Sequence, residues 1–432
     1  MKQTLKKLAG RVVGSPWYLT ASSAVDVLVG VPLAVLSNGR RNSEAQGHLL
    51  IPPLGRGNIG DQAMLDAFLD NVPGTVTVVL ARLGDLTIRP TAQDRVQVLE
   101  IPQLFSVAGR IRARIILLRC LVQSSTLSVV GADIMDGGYS RRISMLRISM
   151  LNLARIVGVP SQVLGFSWKE SADELVVRAM RKASVHARLI VRDPISLQRM
   201  HKRGIDRAVQ GADLVFAATQ AAEAADIALW LAPRKSRPTI ILNFSGLINR
   251  TVNLDDDYSR LIRWARLRGL AVIVLPHVIR TGDDDRGVSR RIKNEGLWDD
   301  DILFVDRQLS PQEVSWLVSR VHTVVTGRMH LAIMALRSGK PAYVLATQGK
   351  VEGLMDLFAS PEFVVNPKPG FADYLTDRIE AWSVEQEAKL ESSVARCTEL
   401  AQQNFILTRQ RPLGDESLSE LPGINRGTDE RF

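Results

Sequence analysis

Short apolar runs alternate with amphipathic stretches along most of the chain, and the alternation reads as strand and helix in turn. "HLLIPPLG" leads into a glycine-rich loop, Gly57–Asp61. "AMLDAFLDNV" follows with apolar residues at Met64, Leu65, Phe68 and Leu69, the spacing of one helical face. Strand-like "VTVVLA" and "VQVLEI" come next, then "LSVVGADIMDGG", helix-like "LRISMLNLARIVG" and "PSQVLGF". "ARLIVRD", a helix from about Ser196 and the apolar "GADLVFAA" complete the series. Nearly continuous apolar strands joined by crossover helices belong to a parallel sheet covered on both faces, so a Rossmann-like α/β domain is expected here.

"PRKSRP", Pro233 to Pro238, reads as a linker, and a second series begins after it. It runs through "TIILNFSG", a helix over Tyr258–Gly269, "LAVIVLPHV", the acidic loop "TGDDDRG", a helix over "VSRRIKNEG", and "DILFVD". Then come the helix "SPQEVSWLVSRV", strand-like "TVVTG", the helix "MHLAIMALRSG" and "PAYVLA". Ser310, Pro311 and Glu313 spell a capping box with proline in the first turn. A long charged helix from about Phe371 closes the fold. The expected architecture is α/β, two Rossmann-like domains facing each other across a cleft. The divisions are an N-terminal appendage over 1–42, a first domain over 43–232, a second over 233–365, a helical region over 366–410 and a disordered tail over 411–432.

Composition narrows the partners. With 432 residues there is material for two domains or more, and 46% apolar against 23% charged residues suits a globular protein. The net charge of +10 favours anionic partners such as phosphates, acidic glycans or a membrane surface. Nucleic acid is not expected: zinc-finger spacings are missing, and five tyrosines and eleven phenylalanines offer little for base stacking. Cys120 and Cys397 lie far apart in helix-like sequence, which suits a reducing compartment. In the N-terminal segment the apolar stretch Trp17–Leu36 carries Asp26 and Pro32. A packed or membrane-surface helix is expected there, with a signal or transmembrane segment as the other reading.

Four places carry candidate chemistry. In "GRGNIGD", Gly55, Gly57 and Gly60 allow a tight turn, and backbone N–H groups at the start of the next helix would point at an anion. Asp61 is placed either to cap that helix or to face a sugar hydroxyl as a base. In "VVTGRMHLAIMALRSGKP", Arg328 at a strand-to-helix junction could grip a carboxylate or phosphate, and His330 could move a proton near neutrality. Met329 would offer a helix N-terminus, while Lys350 and Glu352 lie in the next strand-to-helix loop. In "ARLIVRDPIS", Arg192 is either a second anion clamp or a partner of a nearby acid. In "LPHV", His277 ends a strand ahead of the aspartates at 283 to 285, which read as a solvated loop rather than a metal site.

Taken in order, "GRGNIGDQAM", "RDPIS", "LPHV" and "GRMHLAIMALRSGKP" with "GKVEGL" resemble the polysaccharide pyruvyl transferase family over roughly residues 50 to 362. The resemblance implies a glycosyltransferase-B-like pair of domains. It implies transfer of an enolpyruvyl-derived unit from phosphoenolpyruvate to a sugar of a bacterial surface glycan or its lipid-linked precursor, with a pyruvate ketal formed and phosphate released. The family's Arg-x-His falls on Arg328 and His330, its glycine-rich motif on Asn58, Gly60 and Asp61, its Arg-Asp pair on Arg192 and Asp193, and its lysine on Lys350. His330 is then the expected proton donor, and Asp61 or His277 the expected hydroxyl base. Phosphoenolpyruvate is a donor substrate, no cofactor is implied, and the location is cytoplasmic, with contact at the inner face of the membrane an option. A nucleotide-sugar glycosyltransferase or a non-catalytic glycan-assembly protein on the same scaffold are the rival readings. One departure stands out. Where the family carries a run of glycines, this chain has Gly131-Ala132-Asp133, with Gly137 and Gly138 displaced towards Tyr139.

Overall fold

A computed structural model of the chain describes residues 47–105, 110–294, 296, 299–346 and 351–409. The appendage 1–42, the tail 411–432 and Lys350 therefore lie outside the described residues. By packing, the described residues fall into two units. One holds those of 47–54, 71–213 and 402–409, the other those of 55–70 and 214–401.

The first unit is built on seven parallel strands. They are β1 (Gly47–Ile51), β2 (Val76–Leu80), β3 (Val96–Glu100), β4 (Ser124–Ala132), β5 (Ser161–Phe166), β6 (Ala187–Val191) and β7 (Ala208–Gln210), in the order β3-β2-β1-β4-β5-β6-β7. All six residues of β5 and the last seven of β4 are buried, as a strand covered on both faces requires. After β1 comes α1 (Ile59–Asn71), nearly all of which belongs to the second unit. The crossovers here are α2 (Arg110–Val122), α3 (Arg141–Ile156), α4 (Glu174–Ala183) and α5 (Pro194–Lys202). Local chemistry starts them where they start. Ser140 caps α3, Asp173 caps α4 through the N–H groups of Leu175 and Val176, and Asp193 caps α5 with Pro194 in its first turn. The apolar "GADLVFAA" forms a 3-10 turn at Leu214–Ala217.

The second unit has a six-stranded parallel sheet, ordered β12-β9-β8-β13-β14-β15. Its strands are β8 (Thr239–Asn243), β9 (Ala271–Val274), β12 (Ile302–Phe304), β13 (Thr323–Thr326), β14 (Ala342–Leu345) and β15 (Val364–Val365). The acidic loop forms a small antiparallel hairpin, β10 (Ile279–Arg280) with β11 (Asp283–Asp284). Helices α6 (Ala225–Leu231), α7 (Asp255–Leu267), α8 (Arg286–Lys293), α9 (Pro311–Val318), α10 (Met329–Arg337) and α11 (Val351–Phe358) connect the strands. Helix α9 opens with the expected capping box: Ser310 Oγ accepts from Glu313 N, and Glu313 reaches back to Ser310 N at 2.8 Å.

Two differences from the sequence reading have visible causes. The long closing helix is two, α12 (Phe371–Glu380) and α13 (Val384–Ala401), ahead of a short α14 (Ile406–Arg409). Ser383 ends the continuity by starting a new capping box with Gln386, and Trp382 stacks on Phe363 with ring centroids 5.4 Å apart. The units are also not continuous blocks broken at 232/233 and 365/366. Residues 55–70 join the second unit because Ile59 N and Gly57 O bond to His277 O and Ile279 N, and Asp66 accepts from Gln312 Nε2 at 2.8 Å. Residues 214–232 join it too, with Phe216 packed on Phe358 at 5.9 Å. Among the described residues no helix is long and apolar enough to cross a membrane.

Candidate active site

Each sheet reverses its strand order once, between β1 and β4 in the first unit and between β8 and β13 in the second. Open α/β sheets bind ligands outside the carboxyl ends of their strands at such a reversal. In the second unit that place is formed by the loops after Asn243 and Thr326, and the candidate residues gather around it.

Asp285 is the hub. It is fully buried, and its carboxylate accepts from Asn243 Nδ2 and Gly246 N at 2.9 Å, His277 N at 3.0 Å and Val278 N at 3.1 Å. Arg328 completes the set. Its Nη2 lies 2.6 Å from Asp285 Oδ1 and 2.6 Å from Asp283 Oδ1, its Nε faces Asp285 and its Nη1 faces Asp283. Burial would lower the Arg328 pKa, but the two carboxylates outweigh it and raise it. For Asp283, burial pushes the pKa up, and the bonds and charge of Arg328, with the charge of Arg280, pull it below the ordinary carboxylate value. The guanidinium of Arg328 is thus committed to two acids and stands 10% exposed. Sequence reasoning took 283–285 as solvated; Asp283 and Asp285 are buried because Arg328 and the neighbouring backbone N–H groups satisfy them. Among the described residues no group of three or more acids, cysteines and histidines is placed to hold a metal.

The glycine-rich loop closes against this hub. Asn58 pairs with Val278 in an isolated bridge, and its Oδ1 accepts from Gly60 N at 3.0 Å, the bond of an N-cap. Asn58, not Asp61, therefore caps α1. Asp61 sits half-buried in the first turn. Gly57 has φ +70° and lies so close to Ile279 and Arg280 that a Cβ would stand 3.0 Å from Arg280 Cβ. Gly60 lies flat against His330: a Cβ there would come 2.5 Å from the ring carbon Cγ. The glycines thus bring the start of α1 onto the histidine. Met329 and His330, both half-buried, begin α10, and Arg328 is its N-terminal flanking residue.

His277 lies three residues past the end of β9, rather than at the strand end, at 1% exposure, and neither ring nitrogen has a hydrogen-bond partner among the described residues. Burial, followed by the charges of His330 and Arg328, holds its pKa well below the ordinary imidazole value, so the ring is neutral. Glu352 is exposed in the first turn of α11.

In the first unit Arg192 is 4% exposed and paired with Asp213 at 2.9 Å, while its Nε donates to Ser167 Oγ at 2.8 Å. Asp193 binds Ser196 N and Ser196 Oγ, both at 2.7 Å. "RDPIS" is thus a helix cap joined to a buried ion pair. At the end of β4, Ala132 takes φ +47°, a left-handed shape that glycine adopts freely and alanine only under strain. Tyr139 is half-exposed and its hydroxyl bonds to Asp133; desolvation, then the charge and hydrogen bond of Asp133, push its pKa up. Lys169 Nζ lies 5.1 Å from the Tyr139 ring centroid.

A sequence model described as polysaccharide pyruvyl transferase matches residues 58–349, more than half of the chain. The chain belongs to the polysaccharide pyruvyl transferase family. Membership brings a transferase reaction of the pyruvyl-transfer type on a polysaccharide. No curated protein sequence matches the chain. Among solved structures, the Staphylococcus aureus MnaA–UDP structure is similar at 11% identity and a TM-score of 0.56, covering 84% of this chain and 94% of that one. Arabidopsis thaliana UGT89C1 with UDP-L-rhamnose is similar at 11% identity and a TM-score of 0.55, over 85% and 99% of the two chains. UDP-GlcNAc 2-epimerase of Neisseria meningitidis, bound to UDP-GlcNAc, is similar at 11% identity and a TM-score of 0.51, over 83% and 99%. These likenesses carry the fold: two Rossmann-like domains of the glycosyltransferase-B-like α/β class. In this family member the strand-end junction of Arg328 and His330, the glycine loop and the Asp285 hub belong to one unit.

Proposed function

We propose that the chain transfers the enolpyruvyl-derived unit of phosphoenolpyruvate to a sugar of a bacterial surface glycan or its lipid-linked precursor, on the cytoplasmic side of the membrane. The observation that carries this reading is the placement of His330, next to Arg328, at the strand-order reversal of the second unit, in a chain of the pyruvyl transferase family. His330 gives a proton to the methylene carbon of the enol, which becomes a methyl group and leaves C2 electrophilic. A sugar hydroxyl attacks C2, with Asp61 as the base beside Gly60. Phosphate departs with the C–O electron pair, and a second hydroxyl of the same sugar closes the ketal. Of the two hydroxyl protons lost, one replaces the proton given to carbon and the other leaves with phosphate.

Arg328 acts by fixing Asp283 and Asp285, since its N–H groups are already bonded to them. His277, neutral, buried and within reach of the charge of His330, is assigned to supporting that histidine rather than meeting a sugar. Asn58, Gly60 and Met329 set the two helix starts that flank the histidine. Lys350, which follows β14 in the sequence, and Glu352, in the first turn of α11, are assigned to substrate, with Lys350 on the donor. Arg192 supports its own strand end through Asp213. Replacing His330 by alanine is expected to abolish phosphate release from donor plus acceptor while the urea unfolding midpoint stays that of the wild type. Near-normal turnover in that variant would contradict the role.

A second reading is favoured by the fold neighbours solved with UDP or UDP-sugars: a nucleotide-sugar glycosyltransferase. The released product separates the two, inorganic phosphate in one case and a nucleoside diphosphate in the other.

A further inference from the structure

Three arginines surround one buried carboxylate in the second unit. Asp283, 9% exposed, meets Arg328 Nη2 at 2.6 Å, Arg280 Nη2 at 3.0 Å and Arg250 Nη2 at 3.8 Å. Only Arg328 is enclosed. Arg280 and Arg250 are 43% and 50% exposed, and among the described residues neither makes any other side-chain hydrogen bond or ion pair. Three guanidiniums against Asp283 and Asp285 leave one positive charge uncompensated. The backbone sets the place. Arg250 follows the loop after β8, whose Gly246 N–H is held by Asp285 at 2.9 Å, and so stands at the strand-order reversal. Arg280 is packed against Gly57, in the loop that also carries Gly60 against His330.

Each outer arginine therefore has donor groups to spare on a solvent-facing surface, in the same unit as the proposed proton donor. Arg328 does not, because Asp283 and Asp285 take its Nε, Nη1 and Nη2. We propose that Arg250 and Arg280, held in place by Asp283, form the phosphate-binding arms of the second unit. Their ligand is a dianionic phosphate group, either of a phosphate monoester donor or of free phosphate. Planar guanidiniums suit phosphate oxygens, and an anion there offsets the positive charge that Asp283 and Asp285 leave uncompensated. The inference deepens the reading of phosphoenolpyruvate as donor. It moves the anion grip from Arg328, named by the Arg-x-His pattern, to two residues outside that pattern.

The test is equilibrium binding to the full chain by titration calorimetry, with phosphoenolpyruvate, inorganic phosphate and pyruvate, which lacks the phosphate. Arg250→Gln and Arg280→Gln are each expected to weaken both phosphate-bearing ligands about tenfold, and the double variant about a hundredfold, with pyruvate little changed. Arg250→Lys and Arg280→Lys should lose less than the Gln variants but not keep the full affinity, since the charge remains while the planar fork is gone. Wild-type affinity for both phosphates in the double variant overturns the proposal, as does a wild type that binds neither. Loss of pyruvate binding to the same degree also overturns it, because the arms then do not read phosphate. Both side chains are half-exposed, so the urea midpoint should hold; if the double variant unfolds, the single variants decide. Binding is measured without turnover. A wild type that holds phosphate through these arginines yet never consumes phosphoenolpyruvate supports the arms and refutes the proposed reaction.

Discussion

At Asp285 a single carboxylate ties together the ends of three strands: Asn243 at the end of β8, His277 and Val278 after β9, and Arg328 after β13. Removing it strands the Arg328 charge in a buried site and leaves backbone N–H groups without acceptors. Breaking one side of such a pair costs about 3–5 kcal/mol. Asp285→Ala should therefore lower the urea unfolding free energy by that order, whereas Asp284→Ala, which loses only a partly exposed pair with Arg286, should cost about 0–1 kcal/mol. Equal losses in the two variants would remove Asp285 from the centre of the site. This residue was not legible in the sequence. Its neighbours in "GDDDRG" make it look like one of three solvated acids, and its partners lie 7 to 43 positions away. His330 and Arg328 were legible because a strand-to-helix junction is a local pattern. What Arg328 binds was not, because that depends on Asp283 and Asp285 arriving from another connection.

At the scale of elements, the start of α1 depends on two glycines for different reasons. Gly57 needs its positive φ and its closeness to Ile279 and Arg280. Gly60 has ordinary helical surroundings but no room for a Cβ beside His330. Gly57→Ala is expected to destabilise the fold by about 1–3 kcal/mol through backbone strain. Gly60→Ala gains helix propensity of about 1 kcal/mol but sets its Cβ against the Cβ and Cγ of His330, an overpacking cost of about 1–3 kcal/mol, so a net loss of stability is expected together with reduced turnover from the displaced histidine. Paired urea melts and rate measurements on the two variants check this; a Gly60→Ala enzyme with full activity would separate the loop from the chemistry. The capping box at Ser310 and the proline start of α9 were readable because all their atoms come from adjacent residues. The break at Ser383 was missed although "SVEQ" encodes it, since the charged stretch on both sides keeps a helical pattern. The attachment of α1 to the second unit could not be read at all, because its bonds to 277–279 and to Gln312 cross more than two hundred positions.

At the scale of the whole molecule, both units hold histidines in the neutral form. Burial lowers His48 and His186, the latter to about 4 with help from Arg155, and holds His277 well below 6.5. Each of these is protonated in the unfolded chain below the ordinary value of 6.5 but stays neutral in the fold, so the unfolded state binds more protons there. Stability is then complete above about pH 6.5 and falls as the pH drops towards 4, with the fully buried His277 alone contributing a slope of about 1.4 kcal/mol per pH unit. Urea midpoints from pH 7.5 to 4.5 should decline, and His277→Gln should flatten the decline; a flat profile in the wild type would contradict the buried neutral rings. The parallel sheets and their doubly covered strands were plain from the apolar runs, since such strands need no long-range information to be recognised. The most direct measurement is phosphorus NMR on the full chain incubated with phosphoenolpyruvate, UDP-sugars and the cell's own polysaccharide and lipid-linked saccharides in one tube. The phosphoenolpyruvate signal should give way to inorganic phosphate only when the saccharides are present, and not with His330→Ala. Release of UDP with phosphoenolpyruvate untouched would contradict it.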